Sequence, residues 1–264
     1  MYHFNNAHPD HFSLLEIRNV PEIDSEALEL DVPDRSLSDT MWLSRWSQLI
    51  VKAPLSIHVP LSACGTTTPL VPSAWRHLLI AHPNRDLIHF FLQGIAGGFR
   101  VGYCPLISEL KSSKRNMNSA CHHAEVIDEY LAKEVQEGRV AGPFPHEAIP
   151  KAQINRFGVI PKGHKANKWR LIVDLSHPKG KSVNSGIPKH LCSMSYISVD
   201  EAIKQIITLG RGTLLAKIDT KSAFRLIPVH PADRHLLAME WKGDVYIDTC
   251  LPFGLRSAPK FSMC

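Results

Sequence analysis

One carboxylate stands out for its setting. In the run Leu214-Leu-Ala-Lys-Ile-Asp-Thr-Lys-Ser-Ala-Phe224, a hydrophobic stretch of buried-strand type, Leu214 to Ile218, delivers Asp219 at its carboxyl end. A tight turn with the small residues Thr220, Ser222 and Ala223 comes at once after it. A carboxylate held there can bind Mg2+, and the N–H groups of such a turn can face a phosphate chain. Mg2+ takes one or two carboxylates together with phosphate oxygens, so a single Asp makes half a site. An Asp that ends a strand can equally cap a helix, and these residues alone leave both readings open.

Two further segments bear on the choice. The run Gly158-Val-Ile-Pro-Lys-Gly-His-Lys-Ala-Asn-Lys-Trp-Arg170-Leu-Ile-Val-Asp174 reads as a hairpin with Lys162, Lys165, Lys168 and Arg170 at or near its tip. A cationic flap of this kind can close over a triphosphate and neutralise its charge; for Lys165 and Lys168 a solvated turn is the other reading. The loop Leu251-Pro-Phe-Gly-Leu-Arg-Ser-Ala-Pro259 lets the backbone pass close to a base pair at Phe253 and Gly254.

In this order and spacing the three segments resemble the reverse transcriptase family, over about Ile154 to Phe261. The proline-rich lead-in, with Ala81-His-Pro-Asn-Arg-Asp86 and Gly94-Ile-Ala-Gly-Gly-Phe-Arg100, is similar to the region before the polymerase in DIRS-type retrotransposons, which integrate by a tyrosine recombinase. Gypsy-type elements are the neighbouring alternative.

Carried over position by position, the resemblance implies that Asp219 binds the catalytic metals, Mg2+, with help from the Thr220 carbonyl. Lys162 and Arg170 would hold the incoming triphosphate, with Lys165 as the alternative to Lys162. Ser222, Ala223 and Phe224 would form the nucleotide-binding turn. The Phe224 ring would lie beneath the sugar and clash with a 2′-hydroxyl, unless it is simply a core aromatic. Phe253 and Gly254 would line the nucleotide pocket, and Asp174 would anchor the fingers rather than catalyse. The implied partners are a dNTP and an RNA or DNA template with its primer.

The elements that must position these residues can be read from pattern. Asn84 is placed to cap a helix from Arg85 to about Ile95, ended by Gly97 and Gly98. A second helix is expected from about Ala120 to Glu137, with Val126, Ile127, Tyr130, Leu131 and Val135 at helical spacing. Strands are expected at Ile154 to Ile160 and Trp169 to Leu175. Ser198 or Asp200 starts a helix that ends at Gly210. A hairpin of His235 to Trp241 and Val245 to Cys250 turns at Gly243–Asp244. This order is α+β with a mostly antiparallel sheet. With the resemblance it implies the fingers and partial palm of a right-hand polymerase, after a partly flexible, partly helical extension. Residues 1–74 read as a poorly ordered or irregular extension, 75–150 as a helical pre-polymerase region, and 151–264 as fingers and incomplete palm. Inside the first, Met41 to Val51 is a candidate short helix bearing Trp42, Trp46 and Leu49.

Charge divides along the same line. Residues 1–150 hold 12 Lys or Arg against 17 Asp or Glu, and residues 151–264 hold 18 against 8. The basic part suits a polyanionic partner or is a solvated basic surface. Six scattered cysteines with no CxxC pair, and a polar, His-rich start, read as reduced thiols of an intracellular protein. His3, His8, His11, His122 and His123 match no zinc spacing. The longest apolar run, Leu87 to Val101, is broken by His89, Gln93 and Arg100, so no membrane span is expected.

The family's palm holds a further hairpin ending in two adjacent aspartates, beyond the loop that here ends at Pro259. No Asp-Asp pair occurs in the 264 residues. The expectation is a chain cut before that motif, in which one carboxylate would serve two metals and phosphoryl transfer would lose most of its electrostatic stabilisation. An uncovered strand edge and apolar face would make it marginally stable and prone to aggregate. The expected function is a fragment of a retrotransposon reverse transcriptase, inactive on its own. The alternatives are a non-catalytic nucleic-acid-binding remnant and a functionless transposon-derived reading frame.

Overall fold

Among the described residues the named elements up to Gln136 are helices, and strands enter from Val140 onward. The computed structural model describes residues 41–48, 68–105, 107–113, 115–163, 168–194, 196–216 and 219–261. The chain divides into two units, one of Ser38–Ser195 with Thr220–Cys264 and one of Met1–Leu37 with Tyr196–Asp219.

The larger unit holds α1 (41–48), α2 (Pro72–Leu78), α3 (Arg85–Gly97), α4 (Asn118–His122), α5 (Ala124–Gln136), β1 (Val140–Pro145), β2 (Phe157–Pro161), β3 (Trp169–Val173) and α6 (Lys189–Cys192). The smaller unit contributes α7 (Val199–Leu209). After the chain returns to the larger unit at Thr220 come a 3-10 turn (Ala223–Leu226), α8 (Pro231–Arg234), β4 (Ala238–Trp241), β5 (Asp244–Asp248) and α9 (Ala258–Phe261). The architecture is α+β with antiparallel sheets, in the order β1-β5-β4 and β2-β3. Among the described residues no helix is long and apolar enough to cross a membrane.

Capping residues perform as their chemistry dictates. The Asn84 side chain accepts from the Leu87 N–H at the start of α3, and Ser198 accepts from the Glu201 N–H at the start of α7. The helix expected over Ala120 to Glu137 is instead two, broken at His123, whose φ of −132° and ψ of 49° lie outside the helical region. There the imidazole lies 3.7 Å, centroid to centroid, from the Trp169 ring on β3, so a tertiary contact coincides with the break.

The β4–β5 turn falls one residue earlier than expected. Lys242 and Gly243, with φ of 53° and 91°, form a two-residue loop of the kind that matches strand twist, and Asp244 already pairs with Trp241. The β2 strand begins at Phe157 rather than Ile154, which makes a lone parallel bridge to Ala238. Asn116 ties the two sheets together, accepting from the Phe157 N–H and donating to the Glu240 carbonyl.

Aromatic rings make much of the larger unit's core. Trp42 and Trp46 of α1 stack at 5.3 Å, Trp46 meets Phe261 at 5.3 Å, and Phe90, Phe99 and Phe261 complete the cluster. The Trp42 indole N–H donates to the Leu191 carbonyl at 2.7 Å. Thus α1, inside the lead-in, is seated in the core. A Cβ on Gly102, at φ +80°, would come within 2.1 Å of the Trp46 ring, so glycine is what lets that ring lie flat against the chain.

In the smaller unit α7 is amphipathic yet exposed, with Val199, Ile203, Ile206 and Ile207 at its surface. The strand expected at Leu214 to Ile218 is not formed over 214–216, where Leu214 is 96% and Leu215 74% exposed; residues 217 and 218 lie outside the described residues. A strand needs a neighbour to take up its N–H and C=O groups, and no described strand pairs with this segment.

Candidate functional site

The site is built on a short antiparallel ladder. The Val229 N–H donates to the Thr249 carbonyl at 2.7 Å, and the Leu251 N–H to the Ile227 carbonyl at 2.9 Å. At one end of this ladder, one strand leads into the turn around Phe224 and the other into the loop bearing Phe253. The turn is closed by the Arg225 N–H donating to the Ser222 carbonyl at 2.7 Å, with Ser222 in the left-handed region at φ 55°. The two rings consequently meet edge to face, their centroids 5.1 Å apart. Phe224 is half-buried against the core, whereas Phe253 is 58% exposed.

The loop around Phe253 is anchored on both flanks. Leu251, Leu255, Ser257 and Ala258 are buried, while Phe253 and Gly254 stand out. Asn184 accounts for that shape. Its amide donates to the Gly254 carbonyl at 2.8 Å and its carbonyl oxygen accepts from the Arg256 N–H at 2.8 Å. The Ser257 hydroxyl donates to the Val101 carbonyl. Gly254, at φ +93°, passes under β3, where a Cβ would lie 3.2 Å from the Val173 carbonyl oxygen.

Beneath Phe224 lies a buried ion network. Arg225, 4% exposed, donates to Asp248 at 2.6 Å and to Glu134 at 2.8 and 3.1 Å, with longer bonds to the Cys250 and Arg139 carbonyls. Glu134 also accepts from Arg139 at 2.5 and 2.8 Å. Burial pushes the Glu134 carboxyl up, but Arg139 and Arg225 outweigh it and hold the group below the ordinary carboxylate range. Burial works against charge on Arg225 too, and Asp248 and Glu134 more than offset it, so its guanidinium is held protonated.

The expected cationic hairpin forms. In register, Phe157, Val159 and Pro161 oppose Val173, Leu171 and Trp169, and all but Pro161 belong to an apolar cluster with Ile127 and Leu131 of α5. Two-residue alternation puts Ile160 and Arg170 on the other face. Lys162 faces Lys168 just beyond, its N–H donating to the Lys168 carbonyl at 2.6 Å. Lys162, Lys168 and Arg170 are all exposed. Lys165 lies outside the described residues. Asp174 accepts from Arg156 at 2.8 and 3.0 Å and from the Ser176 N–H, an engaged carboxylate tying β3 to the segment before β2.

Asp219 and Thr220 are both exposed; Asp219 closes the smaller unit and Thr220 reopens the larger one. Within the larger unit Phe224 meets Phe253, and Gly254 approaches the hairpin strand that carries Arg170. Sequence reasoning missed Arg225, Glu134, Asp248 and Asn184. Arg225 carried one signal, as a cation inside the apolar run Ala223-Phe-Arg-Leu-Ile227, where a charge needs partners.

No family model matches the chain, and no curated protein matches it. Among solved structures, the native protease-reverse transcriptase of prototype foamy virus is 18% identical with a TM-score of 0.37, over 80% of this chain and 27% of that one. The foamy viral protease-reverse transcriptase in complex with an RNA/DNA hybrid is 14% identical with a TM-score of 0.42, over the same shares. The same viral protein in complex with double-stranded DNA is 15% identical with a TM-score of 0.37, over 74% of this chain and 41% of that one. The chain thus spans between about a quarter and two fifths of the length of these structures.

Proposed function

We propose that this chain carries the fingers and part of the palm of a retrotransposon-type reverse transcriptase, most similar in its motifs to DIRS-type elements. In the parent reaction the primer 3′-hydroxyl oxygen bonds to the α-phosphorus of a dNTP while the bond to the β-phosphate oxygen breaks, and pyrophosphate leaves. The template is RNA or DNA.

The observation that carries this reading is the meeting of Phe224 and Phe253, centroids 5.1 Å apart. Two motifs chosen from sequence for one nucleotide pocket are neighbours, and neither ring is fully buried. The cations support it: Lys162, Lys168 and Arg170 share the solvent side of one hairpin, as triphosphate ligands must. Mg2+ fits the donor set, since Asp219 and Thr220 are exposed oxygen donors of the hard type it takes. When bound it would neutralise charge developing on the phosphates. With Asp219 as the one carboxylate assigned to metal, primer extension by these 264 residues alone is expected to stay near background.

Binding of Mg2+·dNTP and of a primer–template duplex to the full chain tests the reading. Metal-dependent dNTP binding should be lost in Asp219→Asn and weakened about tenfold or more in Arg170→Ala. Robust extension abolished by Asp219→Asn would overturn the expected inactivity. Salt-dependent duplex binding with no dNTP binding would favour a non-catalytic nucleic-acid-binding remnant, for which the excess of 18 Lys or Arg over 8 Asp or Glu in residues 151–264 speaks. Binding of neither would leave a functionless reading frame.

A further inference from the structure

The Phe224 turn is short, exposed on one side and begins with a left-handed serine, so little local structure holds its ring. Its neighbour Arg225 is a charged side chain driven into the interior, where an unpaired guanidinium would be prohibitive. Arg225 is satisfied there by groups distant in sequence: Glu134 on α5, Asp248 on β5, and the carbonyls of Arg139 and Cys250. The same β5 continues through Thr249 into the ladder that ends at Phe253. A planar fork bonded to α5 and to β5 therefore fixes the Phe224 backbone to the strand that delivers Phe253.

We infer that Arg225 is the positioning residue of the nucleotide pocket, setting the place of the Phe224 ring against Phe253 through its paired bonds to Glu134 and Asp248. This rests on the nucleotide-pocket reading of those two rings. Arginine is needed rather than any cation, because only its rigid fork reaches two carboxylates at once. Apolar side chains of matching volume at all three positions together would stabilise the fold about as well, whereas loss of one member leaves a buried charge unpaired, so the network answers a demand for geometry rather than for stability. The ring stands where the resemblance puts sugar discrimination, so a displaced ring alters the choice between deoxy- and ribonucleotides more than it alters triphosphate affinity.

The test uses the full chain with 4-fluorophenylalanine at position 253, whose 19F resonance senses the Phe224 ring. Phe224→Leu sets the value for an absent ring. Arg225→Lys and Arg225→Met should both move the resonance toward that value. The charge-free set Glu134→Gln, Arg225→Met, Asp248→Asn, which leaves no buried ion unpaired, should do the same while melting cooperatively. A resonance at the wild-type position in the charge-free set, or full rescue by Arg225→Lys, would overturn the inference and leave a merely structural ion pair. In a second arm, the ratio of dNTP to rNTP binding should fall several-fold in the charge-free set, whereas Arg170→Ala should weaken both nucleotides alike. An unchanged ratio with a binding wild type also overturns it. A wild type that binds no nucleotide defeats the proposed function instead, and the fluorine arm then decides the positioning role by itself.

Discussion

Phe224 meets Phe253 edge to face at 5.1 Å, although the two residues arrive from different turns. An edge-to-face pair contributes about 0.5–1.5 kcal/mol beyond the area it buries. With Phe253 largely exposed, the lower half of that range is expected. A double-mutant cycle of Phe224→Leu and Phe253→Leu, read by urea unfolding, should give a coupling of about 0.5 kcal/mol or more. Additive changes would mean the rings do not touch in solution.

Removing one member of the buried network should be costly. Glu134→Ala leaves Arg225 with Asp248 as its one carboxylate and should destabilise by roughly 3 kcal/mol. The network also sets an acid limit. The folded-state Glu134 carboxyl is held below its ordinary value, so its contribution is present above the unfolded value of about 4.3 and is lost as pH falls through the depressed one. Melting temperature tracked from about pH 6 to about pH 3 should drop less steeply in Glu134→Gln than in wild type, measured as the change from each protein's own starting value.

Two histidines near α8 give a separate dependence at milder pH. Burial holds both below the ordinary imidazole value, reinforced at His230 by the nearby Arg100 charge and opposed at His235 by the weaker pull of Asp233. His230 caps α8 by accepting the Ala232 N–H at Nδ1, which a protonated ring cannot do. Their neutral forms therefore stabilise the fold fully above the unfolded value of about 6.5, and that contribution fades as pH falls toward the depressed folded values. Urea midpoints at about pH 7.5 and about pH 5.5 should differ, and His230→Asn, which retains a capping side chain, should narrow the difference.

Salt dependence should report the hairpin cations. If Lys162, Lys168 and Arg170 contact phosphates of a bound duplex, each replacement by alanine lowers the slope of log affinity against log salt by about 0.9. The loss should be alike for unrelated sequences, because phosphate contacts position without reading bases. An unchanged slope in the triple variant would remove the hairpin from the nucleic-acid interface.

Much of this protein was legible residue by residue. Asn84 and Ser198 announced the starts of α3 and α7, because a capping side chain acts on N–H groups three residues away. The runs Ile154 to Ile160 and Trp169 to Leu175 announced a hairpin with basic residues at its tip, and the register that puts Arg170 on the solvent face came from the fold. The motif resemblance implied a shared pocket for Phe224, Phe253 and Gly254, and the fold sets the two rings 5.1 Å apart. Tertiary structure decided the rest. Whether 214–216 becomes a strand depends on a neighbour to complete its hydrogen bonds, which apolar side chains do not announce. The helix after residue 118 breaks at His123, where a tryptophan from β3 lies against the imidazole, a contact that helical spacing does not announce. Arg225 finds its carboxylates 91 residues before it and 23 after, a pairing that charge alone demands and only topology supplies.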